Sequence, residues 1–265
     1  MTDIVHLEPA GVRIRRAVMI VGSLLLFGFA AWRLGLDLGK FLDRLSNVGR
    51  VLALMLVFDF TDFWIVIREM LVSVSIAVTS MFMGLILSLV LAFLAAENIA
   101  PSRAVAVAIK SFVAVIRAVP GLVWILMVVA SMGFTNTAAT VGLIISTVGY
   151  LTKSFVASIE DVGITAIEAM RATGASWLLI VVKGLLPSVL APFLSWTAIR
   201  FERSIGESVS LGMLGVAGIG LLLIQESRNY EYGRISVIVL VIVVTMVGIE
   251  ILVNRVRRRL QESDR

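Results

Sequence analysis

Residues 70–96 read MLVSVSIAVTSMFMGLILSLVLAFLAA, a run of 27 positions without a charged side chain. A second uncharged run, residues 118–152, is 35 positions long. A helix needs about 20 apolar residues to cross the hydrocarbon core of a bilayer, so the first run holds one membrane-spanning helix and the second has room for two. The sequence therefore predicts an all-α membrane protein that crosses the bilayer several times.

The composition of the whole chain supports this fold class and excludes others. Of the 265 residues, 59% are hydrophobic and 15% are charged, with a net charge of +5. The basic residues cluster at the ends of apolar runs, where membrane topology uses them, so a nucleic-acid-binding protein is excluded along with a soluble enzyme and a disordered chain. The chain has no cysteine and one histidine, His6, so no metal site or catalytic dyad built on these residues is expected.

The apolar runs and the turn signals between them predict six membrane-spanning segments. The turn signal at residues 133–137 divides the second uncharged run, and Pro120 fits the first turn of the helix before it. Residues 105–116 are expected to form a short helix near the interface. The six expected spans are residues 17–32, 70–94, 120–132, 138–156, 189–212 and 235–252. The expected division of the chain is a tail (1–16), a first transmembrane segment (17–36), an amphipathic segment (37–69), a core with a charged loop at 159–187 (70–254) and a basic tail (255–265).

The placement of lysine and arginine predicts that both termini are cytoplasmic, because these residues are enriched in cytoplasmic loops. With the N-terminus inside, six spans put most of the basic positions on the cytoplasmic side: the 13–16 cluster, Arg103, Arg171, Lys183 and the C-terminal arginines. The amphipathic segment is then periplasmic. Its apolar residues recur at helical spacing between Phe41 and Met55, so it is expected to lie as a helix on the membrane surface.

The charged loop between the fourth and fifth spans has the most specific pattern in the chain. Residues 164–173 have amphipathic helical spacing, Gly174 can adopt the left-handed conformation that ends a helix, and Ser176 can cap the next helix. Pro187 is expected to break that second helix before the fifth span. A helix–break–helix rich in small residues suits docking into a groove of a partner protein, and an ordinary polar loop is the alternative interpretation.

This loop carries a resemblance to a known family. Glu168-Ala169-x-x-x-x-Gly174, followed after nine residues by Gly184-x-Leu186-Pro187, resembles the EAA loop of ABC-importer permeases. Two positions depart from that pattern, because Gly184 stands where the loop usually has isoleucine and Met170 where it has a second alanine. Four stretches resemble, more narrowly, the phosphonate/phosphate-type permease subunit: Ile116–Trp124 (IRAVPGLVW), Glu168–Ser176 (EAMRATGAS), Arg200-Phe201-Glu202 and Leu211-Gly212-x-x-Gly215-x-x-Gly218-Ile219-Gly220.

The resemblance implies a membrane subunit with the type I ABC-importer permease core, located in the bacterial inner membrane. Its ATPase-coupling loop would contain Glu168, Ala169, Arg171, Gly174 and Pro187. The implied partners are a second permease subunit, identical or a sister chain, two ATPase subunits and a periplasmic binding protein. The sequence has no Gly-x-x-x-x-Gly-Lys-Ser/Thr phosphate loop, so ATP and magnesium are expected on the ATPase, with no cofactor on this chain, which is a transporter subunit and not an enzyme. The implied cargo is a phosphorus oxyanion: phosphonate, phosphite or phosphate.

Four charged residues lie within the fifth expected span: Arg200, Glu202, Arg203 and Glu207. Charges in a spanning helix usually face a cavity or a partner. Arg203 and Glu207 are one helical turn apart and are expected to pair, with Arg200 on the same stripe. The stripe is expected to lie beside the route of an oxyanion, and a structural ion-pair network at the subunit interface is the alternative. Gly206-Glu207 stands where relatives commonly have an Arg-Ala pair, which fits a non-identical sister permease that supplies the missing positive charge.

Gly212, Gly215, Gly218 and Gly220 follow the fifth span. We expect close helix packing there, or a flexible gate segment on the outer side. A dinucleotide-binding fingerprint would need a strand before these glycines, and the sequence has none at this place.

Two other transporter classes remain as alternatives. One is a permease of the same superfamily that carries methionine or another amino acid. The other is a secondary transporter that uses Glu202 or Glu207 as a proton carrier, although the inverted repeats typical of that class are not found. A membrane enzyme would need paired carboxylates or histidine ligands near an interface, which the sequence lacks.

Overall fold

The computed structural model describes residues 10–263, without the side chains of residues 10, 38, 164, 166, 256, 257 and 259–263. The expected all-α fold is confirmed, since this part of the chain contains helices and no strand. The helices are α1 (Ala10–Arg33), α2 (Leu38–Met55), α3 (Phe63–Ala95), α4 (Arg103–Ala118), α5 (Gly121–Met132), α6 (Asn136–Glu160), α7 (Ile164–Ala172), α8 (Trp177–Gly212), α9 (Ile219–Arg228) and α10 (Tyr232–Ser263). Within α8, Ile180–Leu185 has π-helical hydrogen bonding.

The contacts divide the chain after Leu54 into two units. In the first unit, Gly11–Arg33 is long and apolar enough to cross a membrane. This helix already includes Arg13, Arg15 and Arg16, which were expected in a tail; residues 1–9 of that tail, with His6, lie outside the described residues. The amphipathic helix is found as α2, and its position on a membrane surface stays a prediction.

The second unit contains four further helices that are long and apolar enough to cross a membrane: α3, α6, α8 and α10. Their bounds differ from the expected ones at both edges of the core. α3 begins at Phe63 rather than Met70, and α10 continues to Ser263 through the stretch expected to be a basic tail. Charged residues such as Arg68 and Glu69 lie inside these helices because a helix does not have to end where the apolar run does.

α4 and α5 are bent by 86° relative to each other. Pro120 causes the bend, because a proline forces the preceding residue into an extended conformation, and Val119 has φ −89° and ψ 127°. α5 has 12 residues, which is about 18 Å and too short to cross a core of about 30 Å. The single span expected at 120–132 is therefore wrong. The pair begins beside the end of α6 and leads into its start, and only together are α4 and α5 long and apolar enough for one crossing.

α6 packs closely against both α4 and α5, because two of its glycines let these neighbouring helices approach. A Cβ on Gly142 would lie 2.7 Å from Cγ1 of Ile125 in α5, and one on Gly149 would lie 2.7 Å from Cγ2 of Ile116 in α4. Small residues permit such close packing between membrane helices. α6 therefore holds both halves of the bent pair.

The second unit has two distinct ends. We call one the coupling end; it comprises the turn 96–102, the last residues of α6, α7 and the first residues of α8. The buried side chains of Ile99, Ile159, Ile167 and Ile180 pack together there. The opposite end comprises the segments 56–62, 133–135, 213–218 and 229–231. The basic residues predict that the coupling end is cytoplasmic.

Candidate functional site

The loop at the coupling end has the helix–break–helix structure that the sequence predicts. Gly174 follows α7 with φ +79°, the left-handed conformation that favours glycine. Its N–H donates to the carbonyl of Arg171 at 2.9 Å, and the N–H of Ala175 donates to that of Met170 at 3.2 Å. The hydroxyl of Ser176 accepts from the N–H of Leu179 at 3.4 Å and caps the start of α8.

Two side chains hold this loop on the turn between α3 and α4. Arg171 donates to the backbone carbonyl of Asn98 at 3.1 Å, and the indole N–H of Trp177 donates to that of Ile99 at 2.8 Å. These bonds lie on either side of Gly174, so both arms of the loop are attached to the same turn. No sequence signal predicts the Trp177 contact, because its acceptor is a backbone carbonyl 78 residues away.

The outer surface of α7 presents the residues that the EAA resemblance singles out. Glu168, Ala169 and Gly174 are exposed, whereas Ile167 on the other face is 3% exposed and packs into the core. The arrangement leaves an exposed helix surface of small residues with one carboxylate on a buttressed loop. Such a surface fits a groove on a partner protein.

Pro187 is exposed and does not break the helix, contrary to the sequence-based expectation. α8 is continuous over 36 residues from Trp177 to Gly212. A proline in a regular helix lacks a hydrogen-bond donor and clashes with the carbonyl four residues earlier. The π-helical segment Ile180–Leu185 lies directly before it and changes that hydrogen-bond register, so the helix accommodates the proline.

An ion cluster joins the α3–α4 turn to the end of α6. The ammonium of Lys110 lies 2.7 Å from a carboxylate oxygen of Glu97 and 2.8 Å from one of Glu160. The backbone N–H of Glu97 also donates to Glu160 at 2.9 Å. The hydrogen bond that Lys110 donates and the positive charge of its ammonium hold the pKa of Glu97 below its ordinary value.

A second candidate site is centred on Arg200, which is 3% exposed in the middle of α8. Its two terminal nitrogens donate to the two carboxylate oxygens of Glu207, each at 2.8 Å. Its remaining bonds go to α6, from Nε to the hydroxyl of Thr147 and from a terminal nitrogen to that of Ser146, both at 3.2 Å. We call these four residues the arginine centre.

The expected ion pair between Arg203 and Glu207 is wrong, because Glu207 pairs with Arg200. Seven residues make almost two full helical turns, so Arg200 and Glu207 lie on one face of α8. Arg203 instead lies with its guanidinium carbon 5.7 Å from the ring centre of Tyr150. Within the described part of the chain, Glu202 is half-buried and forms no hydrogen bond or ion pair.

At the arginine centre, the buried positive charge of Arg200 is neutralised by the carboxylate of Glu207. A fork-to-fork arginine–carboxylate pair is short and strong, and it occupies the donors that an oxyanion would use. A cleft of about 180 Å³ lies beside it and is lined by Arg117, Trp124, Ser146 and Tyr150, among others. An anion that enters this cleft meets Arg117 directly and reaches the forked donors of Arg200 only by competing with Glu207.

At the opposite end, Arg234 pairs with three acidic residues from two segments, 56–62 and α9. Its guanidinium lies 2.7 Å from Asp62, 3.5 Å from Glu226 and 3.6 Å from Asp59. Hydrogen bonds from Thr61, and then the charge of Arg234, hold the pKa of Asp59 below its ordinary value. The cluster joins the segment 56–62 to α9 and α10. Sequence reasoning missed it, because the partners are far apart in the chain.

The predicted close packing at the glycine-rich segment is confirmed. A Cβ on Gly212 would lie 2.6 Å from the backbone nitrogen of Leu221, and one on Gly220 would overlap the carbonyl of Val209, so α8 and α9 approach backbone to backbone. Gly215 and Gly218 form the turn between them with φ +99° and +120°. A gating role for this segment stays a prediction.

A family model described as "Binding-protein-dependent transport system inner membrane component" matches residues 84–263. The chain is 29% identical over 228 residues to a phosphite transport system permease protein of Stutzerimonas stutzeri. This alignment covers 86% of this chain and 82% of the relative. It is 30% identical over 188 residues to a phosphate-import permease protein of Mycolicibacterium smegmatis, covering 71% of this chain and 35% of the relative. The chain therefore spans about a third of that second relative's length.

Two solved structures share the fold. A chain of a methionine ABC transporter in an inward-facing conformation superposes with a TM-score of 0.66, at 22% identity, covering 74% of this chain and 96% of that chain. A chain from a crystal structure of an amino acid ABC transporter with histidines gives a TM-score of 0.62 at 20% identity, covering 76% of this chain and 98% of that chain. At this level of identity, the likeness concerns the fold.

Proposed function

This chain belongs to the family of binding-protein-dependent transport system inner membrane components, and from that premise we propose that it is the membrane subunit of an ATP-driven importer for a phosphorus oxyanion. The observation that carries the proposal is the exposed, buttressed helix α7, which has the EAA-type residues at an end of the bundle where a partner can dock. The cargo class follows from the two relatives named above for phosphite transport and phosphate import.

ATP is hydrolysed by a separate subunit that docks on α7. The sequence has no phosphate loop of its own. Two ATPase subunits bind two permeases, and a periplasmic binding protein delivers the solute at the opposite end. ATP and magnesium belong to the ATPase.

The contacts of the loop define how its movement reaches the membrane helices. A force on α7 acts through Arg171 and Trp177 on the α3–α4 turn, and through Lys110 on the end of α6. α8 begins at Trp177, so it moves with the loop. The helices that surround the arginine centre are thereby displaced together when the ATPase subunits close.

The arginine centre lies beside the proposed route of the oxyanion. Glu207 mimics the forked acceptor that a phosphorus oxyanion presents, so it keeps Arg200 neutralised while no solute is bound. Arg117 and Arg203 contribute positive charge nearby. Because Glu207 cancels the charge of Arg200, we propose that the paired permease is a sister chain with a basic residue at the corresponding place.

The test is uptake by the assembled transporter in proteoliposomes. The chain is purified with the partners that accompany it, and uptake of radiolabelled phosphate is measured with ATP inside or outside. We expect ATP-dependent uptake that phosphite or methylphosphonate inhibits and methionine does not. Uptake of radiolabelled methionine, measured in parallel, together with no uptake of phosphate would assign the amino acid alternative. Phosphate uptake that persists without ATP would assign the secondary transporter.

Docking on α7 is tested separately with Glu168→Gln and, as a matched control, Asp43→Asn on α2, since both carboxylates are exposed. We expect the first variant to lose at least about tenfold in uptake while it still assembles in the membrane, because one charge-assisted contact contributes about 1.5–3 kcal/mol. The control should transport normally. Equal uptake by both variants would remove Glu168 from the docking surface.

A further inference from the structure

A second cleft, of about 310 Å³, opens at the coupling end between α3, α4 and α6. Its walls combine apolar side chains with five polar ones: Lys110 and Arg117 of α4, and Thr152, Lys153 and Glu160 of α6. The cleft is separate from the docking surface on α7. The proposed mechanism uses Lys110 and Arg117 of this cleft but gives no role to Thr152 and Lys153.

The cations of this cleft are only partly neutralised. Lys110 is matched by Glu97 and Glu160. Arg117 and Lys153, by contrast, have no hydrogen-bond or ion-pair partner among the residues that the structure describes. Two cations without partners in one cleft create a positive potential that attracts an anion.

The wall of the same cleft contains a buried hydroxyl without a partner. Thr152 is 1% exposed, and its Oγ1 forms no hydrogen bond with any described residue. A buried hydroxyl that lacks a partner is costly, so such groups usually mark a missing water or ligand. A threonine hydroxyl can donate to an oxyanion beside an arginine and a lysine.

Arg117 connects this cleft with the one at the arginine centre, because it lines both. Its side chain crosses α6 at Gly149, where a Cβ would lie 3.2 Å from Cγ of Arg117. The glycine therefore lets the guanidinium lie between the two clefts. An anion beside Arg200 and an anion beside Lys153 would share this one arginine.

We infer that the cleft formed by Arg117, Thr152 and Lys153 binds a phosphate-type oxyanion, either from the headgroup of an anionic phospholipid or from the free solute. A guanidinium, an ammonium and a hydroxyl are the donors that such an oxyanion takes. The apolar walls suit acyl chains, and basic pockets between helices at the cytoplasmic side of a membrane bind anionic headgroups. The solute source rests on the proposed function; the lipid source does not.

The test uses the purified transporter in nanodiscs and two probes. In discs of phosphatidylcholine alone, binding of inorganic phosphate is measured by equilibrium dialysis. In discs that also contain phosphatidylglycerol, the anionic lipid retained by the protein is measured by native mass spectrometry. The variants are Lys153→Gln and Thr152→Val, with Lys183→Gln as the control, because Lys183 is an exposed cation of α8 outside the cleft.

We expect Lys153→Gln to weaken binding of one probe by about tenfold or more, since a hydrogen bond to a charged group contributes about 1.5–3 kcal/mol. Lys153→Arg should retain most of the affinity. Thr152→Val should weaken binding about threefold to tenfold and also raise the thermal stability of the empty protein, because it removes the unpartnered hydroxyl. A role confined to helix packing would not give these opposite effects.

The two arms separate the sources. A loss confined to phosphatidylglycerol assigns a lipid site, which stands even where the protein transports no phosphorus oxyanion. A loss confined to phosphate assigns a solute site on the exit route. The inference is overturned if Lys153→Gln and Thr152→Val bind both probes with the same affinity as the native chain and the control Lys183→Gln.

Discussion

Met170→Ala and Gly184→Ile, made singly and together, test whether the two departures from the EAA pattern compensate each other. Met170 is half-buried on α7, and Gly184 lies in the π-helical segment of α8. A Cβ on Gly184 would overlap Sδ of Met170 and lie 3.2 Å from its Cε, whereas apolar atoms pack best at about 3.5–4.0 Å. The methionine therefore occupies the space that a side chain at position 184 needs.

The expected free energies follow from this contact. Truncating a fully buried methionine costs about 2–5 kcal/mol, so Met170→Ala at a half-buried site should cost about 1–2 kcal/mol. Gly184→Ile forces a branched side chain onto the sulfur, which costs about 1–3 kcal/mol. About 1 kcal/mol of this cost is recovered, because a helix gains stability when it loses a glycine. In the double variant the isoleucine fills the space of the methionine, so the stability should return to within about 1 kcal/mol of the native value.

Thermal unfolding of the purified transporter measures the effect, since 1 kcal/mol corresponds to about 2–4 °C in a protein of this size. Each single variant should unfold at a lower temperature, and the double variant should recover most of the loss. As a control, Gly184→Ile is combined with Met127→Ala, a truncation of an exposed methionine elsewhere, which should give no recovery. If the losses of Met170→Ala and Gly184→Ile simply add, the compensation is refuted.

Three other predictions follow from the contacts of single side chains. Glu207→Gln should lower the free energy of unfolding by about 1–3 kcal/mol, because it leaves the guanidinium of Arg200 without its anion beside a position that is 38% exposed, and Glu202→Gln should cost much less; equal shifts in thermal unfolding would contradict the arginine centre. Trp177→Phe keeps the ring but loses the indole donor, so uptake per ATP hydrolysed should fall while the ATPase rate persists; an unchanged ratio would separate this bond from coupling. Lys110 lowers the pKa of Glu97 below the ordinary 4.5, so their pair stabilises the fold above that pH, and this stabilisation is lost as the pH falls through the lowered pKa. The stability difference between the native protein and Glu97→Gln should therefore shrink in that range, and a constant difference would refute the prediction.

Local signals in the sequence were sufficient for the parts of the loop that depend on a few neighbouring residues. Gly174 and Ser176 end one helix and start the next as predicted, because a left-handed glycine and a side-chain cap act within one helical turn. The same holds for α2, whose amphipathic spacing is a property of its own residues. The membrane class followed from the length of the apolar runs alone.

The arginine centre shows where such reasoning fails. Spacing on a helix made Arg203 the nearer partner for Glu207, but the choice depends on what the neighbouring helix offers. Ser146 and Thr147 of α6 accept from Arg200 and fix its guanidinium where it meets Glu207. Tyr150 of the same helix provides a ring for Arg203 instead. These contacts come from packing between helices, which no local pattern contains.

The error at Pro187 has the larger consequence for mechanism. A broken helix would have left the coupling loop free to move independently of the fifth span, whereas α8 is one helix of 36 residues. Its length is about 54 Å, compared with about 30 Å for the hydrocarbon core, so roughly 16 residues lie beyond the core. Arg200 lies about 35 Å along this helix from Trp177. A displacement of α7 therefore has a continuous path through α8 to the arginine centre.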